Sequence, residues 1–346
     1  MSLHSEIDEQ PAVVARLVDR ASEIGRIAGR IGRDDIDHVL IAARGTSDHA
    51  AIYAQYVFGV RLGLQVGLAT PSVLSLYGAQ PRLRRTLVIG ISQSGASPDI
   101  VGVVQSGRRQ GCPTLALTND PGSALAGEAE HVIDLGAGPE RAVAATKTYT
   151  AELAALALLV AALQRPDDPL AADPGLAMVA SAVEAALGTE AAVEAAARLL
   201  AATPACVVVG RGFEYATARE WALKLKELAH VVADPYSAAD FRHGPVALID
   251  AGFPVLALAP SGDTYADMET LLVRLRDELR AETVVLSDTA RGCELGTSGI
   301  RLPAVEEHLM PIVSIVAGQL HALHVTLARG YDPEHPRNIA KVTRTS

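Results

Sequence analysis

Short apolar runs, each closed by a Gly-, Ser- or Thr-containing turn and followed by a stretch of helical periodicity, recur along the chain. The run His38 to Ala42 ends in Arg44-Gly45-Thr46-Ser47, and a helical pattern begins at about Asp48. Leu87 to Ile91 ends in Ser92-Gln93-Ser94-Gly95-Ala96-Ser97-Pro98, with Pro98 suited to a first helical turn. The same pattern returns later: Cys206 to Val209 ends in Gly210-Arg211-Gly212, and Val255 to Ala259 in Pro260-Ser261-Gly262-Asp263. Further strands are predicted at Pro113 to Thr118, His131 to Leu135 and Thr283 to Leu286. Strands alternating with helices predict an α/β fold with parallel sheets covered on both faces, built twice over as two three-layer αβα subdomains.

The punctuation supplies the boundaries. Residues 1–35 read as an N-terminal helical segment, 36–165 as the first subdomain and 203–330 as the second. Pro166, Pro169 and Pro174 interrupt both helix and strand and open a linker, 166–202, with Ala-rich helices at about 176–187 and 189–202. Residues 331–346 form a Pro-punctuated tail. A chain of 346 residues exceeds one ordinary core, and its 49% hydrophobic content with only 4% aromatics suits helices on Val-rich strands. The longest apolar run, Leu153 to Leu163, is too short for a bilayer and reads as a buried helix, so no membrane partner is expected.

Charge and cysteine usage narrow the function classes. A net charge of -10, with 30 basic residues dispersed among 40 acidic ones, argues against nucleic-acid binding. Cys112, Cys206 and Cys293 are far apart and odd in number, which points to a reducing compartment. The polar, acidic start from Met1 to Pro11 does not resemble a secretory signal, so a cytoplasmic location is expected.

Three groups of residues carry candidate chemistry. On a helix through 219–228, Glu220, Lys224 and Glu227 fall at i, i+4 and i+7, beside an apolar face of Trp221, Leu225 and Leu228. An exposed pair of this kind contributes only about 0.2 to 0.5 kcal/mol. Two carboxylates around one ammonium, with His243 in the turn-rich Phe241-Arg242-His243-Gly244-Pro245, can also supply a general base, a charge that tunes it and a second proton carrier. Thr46, Ser47, Ser92, Ser94 and Ser97 sit at two strand-to-helix turns, where amide groups favour a phosphate. Singly each reads as an N-cap, but together they predict a phosphate seat. The matching turn Pro260-Ser261-Gly262 lacks the cluster, so one phosphate per chain is expected.

Gly210-x-Gly212 lacks the third glycine of a dinucleotide fingerprint. His321 and His324, with Glu306, Glu307 and His308 upstream, lie in an amphipathic pattern where histidines are structural, so no metal is expected.

Several motifs together resemble the sugar isomerase (SIS) family: Ser92-Gln93-Ser94-Gly95, Ala144-Ala145-Thr146-Lys147, Ala222-Leu223-Lys224-Leu225-Lys226-Glu227, His243-Gly244-Pro245 and Pro336-Arg337-Asn338-Ile339-Ala340-Lys341. The chain is most similar to the isomerase half of glucosamine-6-phosphate synthase and its stand-alone relatives, including glucosamine-6-phosphate deaminases of the non-allosteric type. The resemblance runs from Glu6 to the end. It implies that Thr46, Ser92, Gln93, Ser94 and Ser97 hold the sugar phosphate, with Ser47 in the same turn. It also implies that Glu227 moves a proton between sugar C1 and C2, that His243 assists ring opening and that Lys341 forms an imine with the keto sugar, while Glu220 and Lys224 orient Glu227. Without the resemblance, Lys341 reads as a solvated tail lysine. Glu140, Val143 and Ala340 are placed near the sugar by the same likeness, and a homodimer is implied in which His243 completes the neighbouring site. No cofactor is implied, because the open-chain aldehyde already acidifies the C2 proton.

Two departures qualify the likeness. The synthase carries a glutaminase domain with a nucleophilic Cys at its mature N-terminus, whereas residue 2 here is Ser2 and residues 1–35 precede the first sheet, so glutamine is not expected to supply nitrogen within this chain. Ala145 stands where the synthase pattern has Ser, which removes a hydroxyl near the sugar. The expected activity is conversion of glucosamine 6-phosphate to fructose 6-phosphate and ammonia. Its rivals are deglycation of a sugar-phosphate adduct of an amino acid, an isomerase that borrows ammonia from a partner glutaminase, and a non-enzymatic sugar-phosphate sensor. A sensor needs the serines, but not Glu227, His243 and Lys341 together.

Overall fold

The computed structural model describes residues 2–32 and 36–341. It contains two sheets of five parallel strands, with helices on both sides of each. The first comprises β1 (His38–Ala42), β2 (Gln65–Leu68), β3 (Thr86–Ile91), β4 (Thr114–Thr118) and β5 (His131–Asp134), in the order β2-β1-β3-β4-β5. The second comprises β6 (Ala205–Gly210), β7 (Val232–Ser237), β8 (Pro254–Leu258), β9 (Glu282–Ser287) and β10 (Ser298–Arg301), in the order β10-β9-β8-β6-β7. Read from its other edge, the second sheet repeats the first. In both, the strand order reverses beside the opening strand, β1 or β6. Ligands in open sheets of this kind bind beyond the strand C-termini at that reversal.

The central strands β3, β4 and β8 are buried along their whole length, which is why unbroken apolar runs mark them in the sequence. Three strands that the apolar pattern does not predict, β2, β7 and β10, are all edge strands. Each exposes part of its length, and β7 carries Pro235, which an edge tolerates.

Contacts divide the described chain into two units that cross the boundaries expected from the sequence. One holds residues 12–140, 147–177 and 340–341; the other holds 2–11, 141–146 and 178–339. The expected N-terminal segment is three helices, Ser2–Asp8, Gln10–Asp19 and Ala21–Ile31. The first of these packs on the long helix Met310–Ala328 of the second unit. The linker expected at 166–202 is shared between the units, its Ala-rich helices spanning Val179–Leu187 and Glu190–Ala197. The tail is divided as well, residues 342–346 lying outside the described residues.

In the first unit, the helix Lys147–Gln164 is buried from Lys147 to Leu163 and packs on the helices Thr46–Leu62 and Ala21–Ile31. In the second, the stretch Glu307–Ala328 is long and apolar enough to cross a membrane by composition, but 94% of the apolar 18-residue window within it is buried inside the fold. Its partner is the helix Glu214–Ala229. Trp221 lies edge-on to His321, with ring centroids 5.1 Å apart, and its indole N-H donates to His321 Nδ1 at 3.3 Å. Gly318 permits this approach, since a Cβ there would stand 3.2 Å from Trp221 Cγ. Burial pushes the His321 pKa down to about 3, so the ring is neutral and structural.

The first residue of the same helix is a buried acid. Ser314 Oγ donates to Glu214 at 2.9 Å, and burial raises the carboxyl from 4.5 to about 7, a rise to which Glu307 and Asp288 add. Between these two values the folded protein keeps a proton that the unfolded chain has lost, so this group's contribution to stability falls as pH rises through the window. The full change is about 3 kcal/mol at about 1.4 kcal/mol per pKa unit. Glu214→Gln should therefore gain on wild type by up to that amount between pH 4 and pH 8 in paired urea denaturations. A wild-type-minus-variant difference that stays flat across this range would mean that Glu214 folds ionised.

Candidate functional site

In the first unit the turns after β1 and β3 flank the reversal of strand order. The helix Thr46–Leu62 starts after Gly45, whose φ of +56° lets the chain turn sharply off β1. Gly95 at φ +58° does the same after β3, and a Cβ on it would meet Ser123 Oγ at 2.0 Å, so the turn has no room for a side chain there. Ser92 Oγ accepts the Gly95 N-H at 3.2 Å, and Ser94 Oγ lies 3.4 Å from the Ala96 N-H. Ser97 precedes the helix Pro98–Arg109 but makes no side-chain cap, which leaves its half-buried hydroxyl able to meet an anion. Arg44 brackets the turns from β1 and pairs with the buried Asp99 at 2.8 Å.

Ser47 departs from the expectation. It is buried, and its hydroxyl donates to Glu152 at 2.7 Å, tying the helix Thr46–Leu62 to Lys147–Gln164. Its one hydrogen is thus directed at Glu152 and into the core.

Gln93, in the β3 turn, donates to Glu140 Oε2 at 2.6 Å. Lys341 Nζ lies 3.0 Å from the same oxygen, so the tail lysine, the turn after β3 and Glu140 come together. Of the two remaining residues expected near the sugar, Val143 is half-buried in the segment 141–146 of the second unit, and Ala340 is exposed beside Lys341.

In the second unit, Glu220, Lys224 and Glu227 form one cluster on the helix Glu214–Ala229, the first two buried and the third half-buried. Lys224 Nζ lies 3.2 Å from Glu220 and 2.6 Å from Glu227. Burial by itself would lower the Lys224 pKa, but attraction to Glu220 and Glu227 more than offsets this and raises it, so the side chain is an ammonium. Exposure separates the carboxylates: Glu220 is fully shielded and Glu227 is 23% exposed. Glu227 is therefore the member of the cluster that solvent can reach. His243 follows the short helix Ala238–Arg242 and is exposed, its imidazole making no hydrogen bond among the described residues. The neighbouring Arg242 is fixed by Asp267 at 2.6 Å.

The second unit also shows why its own strand-to-helix turn differs. Asp288 accepts the Ser261 N-H and hydroxyl, while Glu307 accepts from the Asp263 and Thr264 N-H groups and the Thr264 hydroxyl. Internal carboxylates thus occupy the place that an anion would take. Of the histidines, His321 meets Trp221, and His324 Nε2 lies 2.9 Å from Glu190.

Neither the roles of Asp288 and Glu307 at this turn nor the pairing of Arg44 with Asp99 is marked in the sequence. A carboxylate at helical spacing from nothing apolar gives no local signal, because its partners lie far away in the chain. Calorimetric titration with a hexose 6-phosphate should find one site per chain. Ser97→Ala should weaken it about 10- to 100-fold, as loss of a charge-assisted bond of about 1.5 to 3 kcal/mol predicts, and Ser261→Ala should not. Equal sensitivity of the two would remove the distinction between the turns.

A model of the SIS domain matches residues 34–162 and 199–329. The glutamine--fructose-6-phosphate aminotransferase (isomerizing) of Methanothermobacter thermautotrophicus is 35% identical over 340 residues, 97% of this chain and 56% of that protein. The chain therefore spans little more than half the length of the curated relatives it matches. The C-terminal domain of glucosamine-fructose-6-phosphate aminotransferase from Francisella tularensis shares the fold, with a TM-score of 0.85 at 24% identity, covering 97% of this chain and 98% of that one. A crystal structure from Silicibacter pomeroyi DSS-3, assigned by name to the phosphosugar isomerases, matches with a TM-score of 0.82 at 34% identity, covering 96% of this chain and 99% of that one. With both repeats matched by one family model and the same double sheet in these structures, the chain belongs to the SIS domain family.

Proposed function

We propose that this protein is a phosphosugar isomerase that converts glucosamine 6-phosphate to fructose 6-phosphate and ammonia. The observation that carries the reading is Glu227, a reachable carboxylate fixed 2.6 Å from a buried ammonium on a rigid helix. The turns holding Thr46 and Ser92 to Ser97 are read as the phosphate seat.

In the open-chain aldehyde, the C2 proton is acidified by the carbonyl at C1. Glu227 removes it, the electrons shift to the C1 oxygen through an enaminol, and the proton returns at C1. The product carries an imine at C2. Lys341 attacks that carbon, ammonia leaves, and water then releases the lysine and the keto sugar. The sum is glucosamine 6-phosphate plus water giving fructose 6-phosphate plus ammonia. Lys224 neutralises Glu220 and holds Glu227 in place, while His243 serves ring opening. Run backwards, the same steps aminate fructose 6-phosphate with ammonia, a reading favoured by the names of the 35% identical relatives.

Pure protein given glucosamine 6-phosphate without glutamine should release ammonia, and Glu227→Gln should slow both this and solvent deuterium entry at C1 or C2 by about 10² to 10⁴-fold. Binding should be retained, since the amide keeps the shape of the acid. Gain of amino sugar only when glutamine is supplied would replace this reading with the synthase one. Binding of the sugar phosphate with no deuterium entry in the unaltered protein would leave a sensor.

We propose also that the active form is a two-fold dimer in which the exposed His243 acts on the partner's substrate. A His243→Ala chain and a Glu227→Gln chain, each inactive alone, would then form mixed dimers with one intact site. Equal mixtures unfolded and refolded together should recover about a quarter of wild-type activity, because about half the dimers are mixed and half their sites work. Mixed dimers that form and stay silent would place His243 in its own subunit's site.

A further inference from the structure

We infer that Glu140 is a positioning residue, the fixed counter-ion that holds Lys341 against the phosphate turn; this deepens the function proposed above and rests on it. Glu140 has no exposed side-chain surface, while Lys341 above it is 25% exposed. One carboxylate oxygen, Oε1, accepts the Thr148 N-H at 3.1 Å and so caps the helix Lys147–Gln164. The other, Oε2, accepts from Thr148 Oγ1 at 3.0 Å, from Gln93 Nε2 at 2.6 Å and from Lys341 Nζ at 3.0 Å. Capping accounts for Oε1. It gives no reason for Oε2 to gather an amide from the phosphate turn and an amine from the far end of the chain.

The helix N-terminus favours negative charge at this place, and the bonds to Thr148 and Gln93 fix the orientation of the carboxylate. Its bonds to Thr148 and Gln93 also commit its oxygens to protein donors, so Glu140 acts on Lys341 and not on the sugar. Gln93 is anchored in turn, its carbonyl accepting the Asn119 N-H at 3.1 Å and the Thr118 hydroxyl at 3.2 Å. A chain of short contacts thus runs from the turn that seats the phosphate to the amine.

The charge balance of the imine step suits a permanent counter-ion. An ammonium and a ketone give a protonated imine and water: the N-C2 bond forms, the C2-O bond breaks, and the oxygen leaves with two of the nitrogen's protons. The nitrogen carries one positive charge before and after. A carboxylate 3.0 Å away can therefore pair with Lys341 in both states, without itself gaining or losing a proton.

The test is reductive trapping. The full chain is incubated with fructose 6-phosphate and cyanoborohydride, and the adduct on Lys341 is quantified by mass spectrometry beside the calorimetric Kd for the same sugar. Wild type should trap, and Lys341→Arg should not. Glu140→Gln keeps the size but sets an amide N-H against Gln93 and Lys341; it should trap at least tenfold less, with Kd changed less than threefold. Glu140→Asp keeps the charge and should recover part of the adduct. Trapping by Glu140→Gln at the wild-type level overturns the inference. Equal losses in the Gln and Asp variants, with matching falls in Tm, also overturn it by reducing Glu140 to a cap. No adduct on the unaltered protein would instead refute the imine step of the proposed reaction, which keeps the two failures apart.

Discussion

Three charges clustered on one helix, two of them buried, set the terms for the second unit. Taking an ammonium or a carboxylate out of water costs several kcal/mol each, recovered only when partners are placed accurately. Glu220 and Lys224 are almost wholly shielded, and Glu227 closes the set at 2.6 Å. Such a cluster tolerates no slack in its helix, and the surrounding packing supplies the stiffness. Trp221 fills the space above Gly318 and is tied to His321, and Glu214 fixes the helix start through Ser314. The long apolar helix Met310–Ala328 is therefore both the core of the unit and the platform of the charged cluster.

The two sheets share one strand order, yet their equivalent turns have different tenants. After β8, Asp288 and Glu307 take the backbone and hydroxyl donors that would otherwise face an incoming anion. A phosphate there would have to displace one carboxylate and sit beside another. After β3 the nearby acids are paired, Asp99 with Arg44 and Glu140 with Lys341, and Ser97 spends no hydroxyl on capping. Repetition gave both halves an anion-favouring turn, and the placement of acidic side chains left one of them open. Fold symmetry and site asymmetry have separate physical causes.

The sequence by itself determined the α/β class, the doubling and seven of the ten strands, because a strand buried on both faces needs an unbroken apolar run and a helix face repeats at short spacing. For the same reason Glu220, Lys224 and Glu227 were legible as one cluster, since i, i+4 and i+7 positions meet on any helix. What needed the tertiary structure was everything set by distant partners. The edge strands β2, β7 and β10 exist because neighbours offer them a ladder, not because their own residues demand one. Ser47 and Ser97 look alike in sequence, but Ser47 gives its hydroxyl to Glu152, 105 positions away. Glu140 and Lys341 are 201 positions apart, and local spacing carries no record of their contact. The exposure that separates Glu227 from Glu220 is likewise a property of what packs over the helix, so only the folded chain could decide which carboxylate meets solvent.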